Sequence, residues 1–216
     1  MLVGDRMTRN PITCSPDTPV DDALNLMRQE KVRRLPVIDK NHKILGIVSE
    51  KDLLYVSPSP ATTLSVFEMH YLLSKVKVST VMTKEVITVT VSTPLEEAAR
   101  IMADNKIGGL PVLDGDKLVG IITETDIFKV FLELLGARDA GWRVSALVED
   151  RKGLLAKLTS AISSRGGDFV TLGTFLQGED RHKSLLVFKV REVTEADIRA
   201  ALAEIDATDI QISRVP

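Results

Sequence analysis

Two short stretches set a carboxylate three residues after a hydroxyl: Ser49-Glu50-Lys51-Asp52 and Thr123-Glu124-Thr125-Asp126. This spacing suits the first turn of a helix, where the hydroxyl caps the free backbone N–H groups and the acid reaches back to the cap. The same arrangement can hold a ligand. The amide groups and positive pole of a helix start accept phosphate, and a carboxylate can take both hydroxyls of a ribose. Capping and binding both remain open on these residues alone, and only their surroundings separate the two.

Those surroundings occur twice. Val3 to Val56 and Val78 to Phe131 align at an offset of 75 residues, which falls to 74 after one residue is lost in a turn. Met7-Thr8 returns as Met82-Thr83, Ile12-Thr13 as Ile87-Thr88, Leu35-Pro36-Val37-Ile38-Asp39 as Leu110-Pro111-Val112-Leu113-Asp114, and Gly46 to Glu50 as Gly120 to Glu124. A repeat of more than about 50 residues exceeds most solenoid units and suits two stacked copies of a small domain. Clefts between such copies can hold a ligand.

Within each copy a Thr-Pro pair announces a helix, with Thr18 or Thr93 as the expected cap and Pro19 or Pro94 at the first helical position. Val20, Ala23, Leu24 and Met27, matched by Leu95, Ala98, Ala99 and Met102, follow the spacing of a helix buried on one side. Strands are predicted at Leu35 to Ile38 and Ile44 to Val48, with equivalents in the second copy, and a helix after each hydroxyl-acid pair. Ser57-Pro58-Ser59-Pro60 reads as a helix-breaking linker and Thr63 to Lys75 as an amphipathic helix.

Beyond the Gly-bearing joint at Leu135 to Gly141 the pattern changes. Trp142 to Val148 alternates as a strand, Leu154 to Ser164 is helical in period, and Gly166-Gly167 supplies a left-handed stop. Strands are expected at Phe169 to Leu176 and Ser184 to Val190, a helix at Thr194 to Ile205 and a last strand at Ile210 to Val215. The order βαββαβ is the ferredoxin-like split arrangement.

Composition narrows the function. With a net charge of −2 and a pI near 6.0, the chain has no global basic field, which argues against nucleic acid as a partner. Cys14 is the single cysteine, so no internal disulfide forms, and Met1 to Arg6 resembles no signal peptide; a cytoplasmic protein is expected. No apolar run approaches the roughly 20 residues of a membrane span. His42, His70 and His182 fall in unrelated segments, so neither a metal site nor a catalytic constellation is read, and no enzyme activity is expected.

The run Gly46 to Asp52 after Arg33-Arg34-Leu35-Pro36-Val37, repeated as Gly120 to Asp126 after Gly108-Gly109-Leu110-Pro111-Val112, closely resembles a tandem pair of CBS domains, the Bateman module. The resemblance covers nearly all of residues 1 to 135. It implies an α+β fold of βαββα repeats about a pseudo-two-fold axis, with domains at 1–56 and 78–135 joined by 57–77. It also implies two clefts for adenosyl ligands: AMP, ADP, ATP or S-adenosylmethionine. Thr13, Val32 and Arg33 are assigned to one pocket with Thr123 and Asp126, and Thr88, Ile107 and Gly108 to the other with Ser49 and Asp52. In this picture Asp52 and Asp126 hold ribose, Ser49 and Thr123 touch phosphate or ribose, the backbone near Thr13 and Thr88 meets the base edge, and Val32 and Ile107 flank the purine. Arg33-Arg34 stands where the second copy has Gly108-Gly109, so phosphorylated ligands are expected to bind the clefts unequally. A solvated edge is the other reading of the two arginines.

Residues 142–216 resemble an ACT domain through Val148 to Leu155 and Gly166-Gly167-Asp168-Phe169. This implies a homodimer and an effector site near Asp150, Gly153 and Asp168, although Asp168 replaces a common Asn and would repel a ligand carboxylate. The whole order, including the Ser-Pro-Ser-Pro-Ala-Thr insert, is similar to the acetoin utilization group of CBS proteins. A non-catalytic sensor of adenosyl ligands, regulating a partner protein, is the expected function. An amino-acid sensor acting through the ACT dimer, with a structural CBS pair, is the alternative.

Overall fold

The two copies of the repeat exchange their opening segments. Strand β1 (Thr8–Arg9) pairs antiparallel with β6 (Lys117–Thr123) of the second copy, Thr8 opposite Ile121 and Arg9 opposite Gly120. The reciprocal exchange sets Thr83 against β3 (Ile44–Ser49) of the first copy, with Ile47 and Thr83 donating to each other's carbonyls at 2.9 Å. Glycine permits both approaches. A Cβ on Gly46 would stand 2.6 Å from Met82 Sδ, and one on Gly120 would strike Met7 Sδ and reach 3.0 Å from Thr8 O. Repeats that are contiguous in sequence are therefore interleaved in space.

A computed structural model describes residues 1–56, 65, 68, 71, 74–177 and 182–216 of the chain. They divide into two units, Met1–Ile127 and Phe128–Pro216. In the first, the short helix α1 (Val3–Arg6) donates from Val3 N to Thr93 O and from Gly4 N to Val91 O, both at 2.9 Å. Its counterpart, the 3₁₀ turn Val78–Thr80, donates from Val78 N to Thr18 O at 2.9 Å. Strands β2 (Arg34–Ile38) and β3 form an antiparallel pair. In the second copy β4 (Val89–Thr90) runs parallel to β5 (Gly109–Asp114), giving the order β1-β6-β5-β4.

Helix α2 (Val20–Glu30) buries Val20, Ala23, Leu24 and Met27, and α4 (Leu95–Asn105) buries Leu95, Ala98 and Met102, as their spacing requires. They pack on strand residues such as Leu35, Val37 and Val48, or Leu110, Val112 and Ile122, all fully buried. The N-caps differ from expectation. Pro19 and Pro94 hold the cap positions without a side-chain bond. Thr18 Oγ1 instead accepts from Ser15 N, and Thr93 Oγ1 from Thr90 N, so each threonine closes the turn that aims the helix. Helix α3 (Glu50–Tyr55) follows β3. The expected linker helix lies largely outside the described residues.

The second unit opens on the last turns of α5 (Glu124–Leu134). Gly136, at φ +55, ends that helix, with Gly136 N donating to Glu133 O and Ala137 N to Leu132 O. There follow β7 (Gly141–Glu149), α6 (Leu154–Ser163), β8 (Asp168–Gln177), β9 (Lys183–Arg191), α7 (Glu195–Ala203) and β10 (Thr208–Val215). Every neighbour in the sheet order β10-β7-β9-β8 is antiparallel, which is the predicted βαββαβ arrangement. Leu158, Ile162, Leu186, Phe188, Ile198 and Leu202 fill its core. Lys189 follows Phe188 on β9 and so faces the other side of the sheet, where it is buried at 3% exposure with its ammonium donating to Gly136 O and Asp139 O at 2.7 Å each.

Candidate functional site

Both hydroxyl-acid pairs close as caps. Ser49 Oγ and Ser49 N donate to Asp52 Oδ2 at 2.6 and 2.8 Å, while Asp52 N donates back to Ser49 Oγ at 3.3 Å. Thr123 N and Oγ1 donate to Asp126 Oδ2 at 3.0 and 2.7 Å. The capping role is thus present in each copy, and it leaves Asp52 Oδ1 without a protein donor among the described residues. A side chain fixed by such bonds is pre-organised for a ligand, since its rotamer is already chosen.

Asp52 and Ser49 form one wall of a cleft of about 580 Å³ whose opposite wall is Ile107, Gly108 and Gly109 from the second copy. That volume falls within the range of small-molecule sites. Register explains the juxtaposition: Arg34 stands opposite Ser49 across β2 and β3, and Gly109 opposite Thr123 across β5 and β6. Backbone bonds tie the same corners, Glu50 N donating to Arg33 O and Glu124 N to Gly108 O. Val86 and Ile87 add apolar surface from the exchanged segment. Arg33, Arg34, Lys51 and Lys106 bring four cations against the acids Glu50, Asp52 and Glu85. Burial lowers the Arg34 guanidinium from its usual value, Glu124 and Asp52 oppose that shift, and Arg33 adds to it.

Ser49, Asp52, Ile107 and Gly108 line this cleft together. Thr88 is not in the wall; its neighbours Val86 and Ile87 are. Arg33, expected beside Thr123 and Asp126, is among the residues lining the Ser49–Asp52 cleft, and its carbonyl accepts from Glu50 N. The remaining residues of the other grouping are each anchored locally. Thr13 precedes Cys14, which bonds Pro36 O and Ile38 N, and Val32 N donates to Met27 O. Sequence reading passed over Lys51, Lys106 and Glu85. Lys106 carried one signal, since it ends a helix in the left-handed conformation at φ +55 immediately before Ile107. Glu85 carried none, because the exchange of segments cannot be read from periodicity.

In the second unit Asp150 and Gly153 line a recess with Leu154, Thr174, Leu176 and Ser184. Gly153 needs its lack of a side chain for backbone conformation, at φ +83 before α6. Asp168 does not join them. It pairs in register with Arg191, whereas Gln177, at the other end of β8, meets Lys183. Arg191 Nε donates to Asp168 Oδ2 at 2.8 Å, so that carboxylate serves an ion pair on the far end of the sheet.

Among the described residues no three His, Cys, Asp or Glu side chains gather as a metal site requires, and no helix is long and apolar enough to cross a membrane. Burial pushes the Cys14 thiol up to about 11, away from nucleophilic use.

The first unit has many relatives. A chloroplastic CBS domain-containing protein of Arabidopsis thaliana, CBSX2, is 38% identical over 152 residues, which span 61% of this chain and 64% of that protein. The solved structure of CBSX2 in complex with AMP is 39% identical, covering 61% of this chain and 96% of that one at a TM-score of 0.51. A Vibrio cholerae structure described as an acetoin utilization protein (AcuB) is 36% identical, with 64% and 95% coverage and a TM-score of 0.53. The CBS domain pair of protein MJ0100, in complex with 5′-methylthioadenosine and S-adenosyl-L-methionine, is 26% identical, with 64% and 98% coverage and a TM-score of 0.51. Inosine-5′-monophosphate dehydrogenase of Aquifex aeolicus matches over 125 residues, only 23% of its length. The CBS domain family matches residues 3–59 and 78–133, the two copies whose strands interlock around the cleft, and the chain belongs to that family.

Proposed function

We propose that this protein is a non-catalytic sensor whose Ser49–Asp52 cleft binds an adenosyl ligand, with AMP, ADP or ATP favoured over S-adenosylmethionine. One observation carries the reading: a cleft between the copies that sets a pre-organised carboxylate, four cations and apolar walls around one space. A ribose needs the first, a phosphate the second and a purine the third. That CBSX2 binds AMP in a similar fold supports it. The Thr123–Asp126 grip serves a second, weaker site with Thr13 and Val32, because Gly108 and Gly109 stand where the first copy carries arginines.

The C-terminal unit acts as an ACT domain that pairs two copies of the chain in the cytoplasm. Its support is β8, an edge strand without a charged residue between Phe169 and Gln177, with Phe175 and Leu176 exposed. Ligand binding regulates a partner only if it favours one arrangement of the protein over another.

Calorimetric titration with AMP, ATP, S-adenosylmethionine and a panel of amino acids tests the reading. Adenine nucleotides should bind, Asp52→Asn should weaken the tighter site and Asp126→Asn the weaker. Absence of heat with every adenosyl compound, or response to an amino acid alone, would overturn it.

A further inference from the structure

We infer that occupation of the Ser49–Asp52 cleft is registered in the C-terminal unit, carried along α5 and handed to strand β9 by Lys189, which acts as a positioning residue at the joint after that helix. The inference rests on the adenosyl reading above. At the start of α5, Glu124 N donates to Gly108 O at 3.2 Å, and Gly108 lines the cleft. The helix then runs unbroken to Leu134. Beyond it Gly136 turns at φ +55, and Asp139 N closes the turn by donating to Gly136 O at 3.1 Å. The Lys189 ammonium gathers that same carbonyl together with Asp139 O.

The glycines at 136 and 141 suggest a loose joint, but the chain here is seated against the sheet. A Cβ on Gly136 would come within 3.1 Å of Thr171 Cγ2 and 3.2 Å of Val170 Cγ1, and one on Gly141 would strike Val190 O at 2.6 Å. Thr171 is also the β8 partner of Lys189, so the joint meets β8 and β9 at one place. An ammonium at 3% exposure, held by two neutral carbonyls, carries a desolvation cost that an apolar side chain of similar length would avoid. What the ammonium adds is a directed tie from β9 to the negative end of α5. A close-packed chain of contacts has few alternative positions, which lets a bias at one end reach the other. The ligand exerts that bias only if it prefers one state of α5 over another. A Lys189 that merely stabilised its own sheet would leave β9 indifferent to the ligand.

Hydrogen exchange of the β9 amides, followed by mass spectrometry on the full chain with and without AMP at about 100 times its Kd, tests this in wild type, Lys189→Met, Lys189→Gln and Ile198→Val. In wild type AMP should slow exchange in β9 severalfold, and by no more than about 100-fold, the factor that one charge-assisted hydrogen bond represents. Lys189→Met should bind AMP within about twofold of wild type and keep the slowing in β2 and β3, but lose it in β9. Lys189→Gln, with a neutral and shorter donor, should retain part of it. Ile198→Val loosens the core of the same unit without touching the joint and should retain it in full. A wild-type β9 that ignores bound AMP, or an equal response in Lys189→Met, would overturn the inference, and if that variant does not fold, the glutamine variant decides. Wild-type protein that binds no AMP would refute the adenosyl reading and the inference with it.

Discussion

Replacing Lys189 with Met removes the buried ammonium that ties β9 to the turn after α5. Two bonds of 2.7 Å are lost, to Gly136 O and Asp139 O. They are not equivalent. Asp139 is exposed, so water can replace the ammonium at its carbonyl, whereas Gly136 is buried and its carbonyl keeps only the bond from Asp139 N at 3.1 Å. That carbonyl also lies at the negative end of a helix, where a cation is favoured. A hydrogen bond to a charged group contributes about 1.5–3 kcal/mol. Methionine recovers some of this by removing the cost of burying a charge, so the net loss should be about 1–2 kcal/mol. For a unit of this size each kcal/mol shifts the midpoint by roughly 4–8 °C, so Lys189→Met should lower the second unit's melting temperature by on the order of 5–15 °C. Differential scanning calorimetry on the full chain reads this directly. A loss below about 0.5 kcal/mol would refute the reasoning.

The folded Cys14 thiol, raised from 9.0 to about 11, favours its neutral form. Its contribution is complete below pH 9 and disappears as pH climbs through 11, so wild type should lose about 2–3 kcal/mol more than Cys14→Ala between pH 8 and pH 11 in urea titrations. Gly46→Ala forces a methyl to 2.6 Å from Met82 Sδ and 2.9 Å from Thr83 O and should destabilise the first unit by about 1–3 kcal/mol in denaturant titration. Without ligand, Asp52→Ala should cost about 1 kcal/mol by opening the cap at Ser49, while Asp52→Asn, which keeps an acceptor, should cost less by the same measurement.

The duplicated pattern made most of the first unit legible. Apolar spacing located α2 and α4, and the doubled hydroxyl-acid pairs located both helix starts, because those signals are local. The caps were misplaced by one residue since proline, with its fixed φ, holds the cap position and leaves threonine to close the preceding turn. The partners of β1 and of Thr83 were invisible: two residues carry no period, and only Gly46 and Gly120 hinted that another segment pressed close. Arg33 lines the Ser49–Asp52 cleft, a placement that no local period announces. In the second unit the alternation of strands gave the order βαββαβ, but which ends of β8 and β9 meet depends on register. That register separates Asp168 from Asp150 and Gly153.

The interlocked opening strands also set a timetable for synthesis. Thr8 leaves the ribosome long before Ile121, its neighbour in the finished sheet, and at about 5–20 residues per second the wait is roughly 6–23 s. During that interval Met7 has no Gly120 to rest against, and the β2–β3 hairpin lacks Thr83 until the linker has been translated. Such distant pairing slows folding and leaves strand edges open to wrong neighbours. The nascent chain is thus most vulnerable to aggregation while its first copy is complete and its second is still being made.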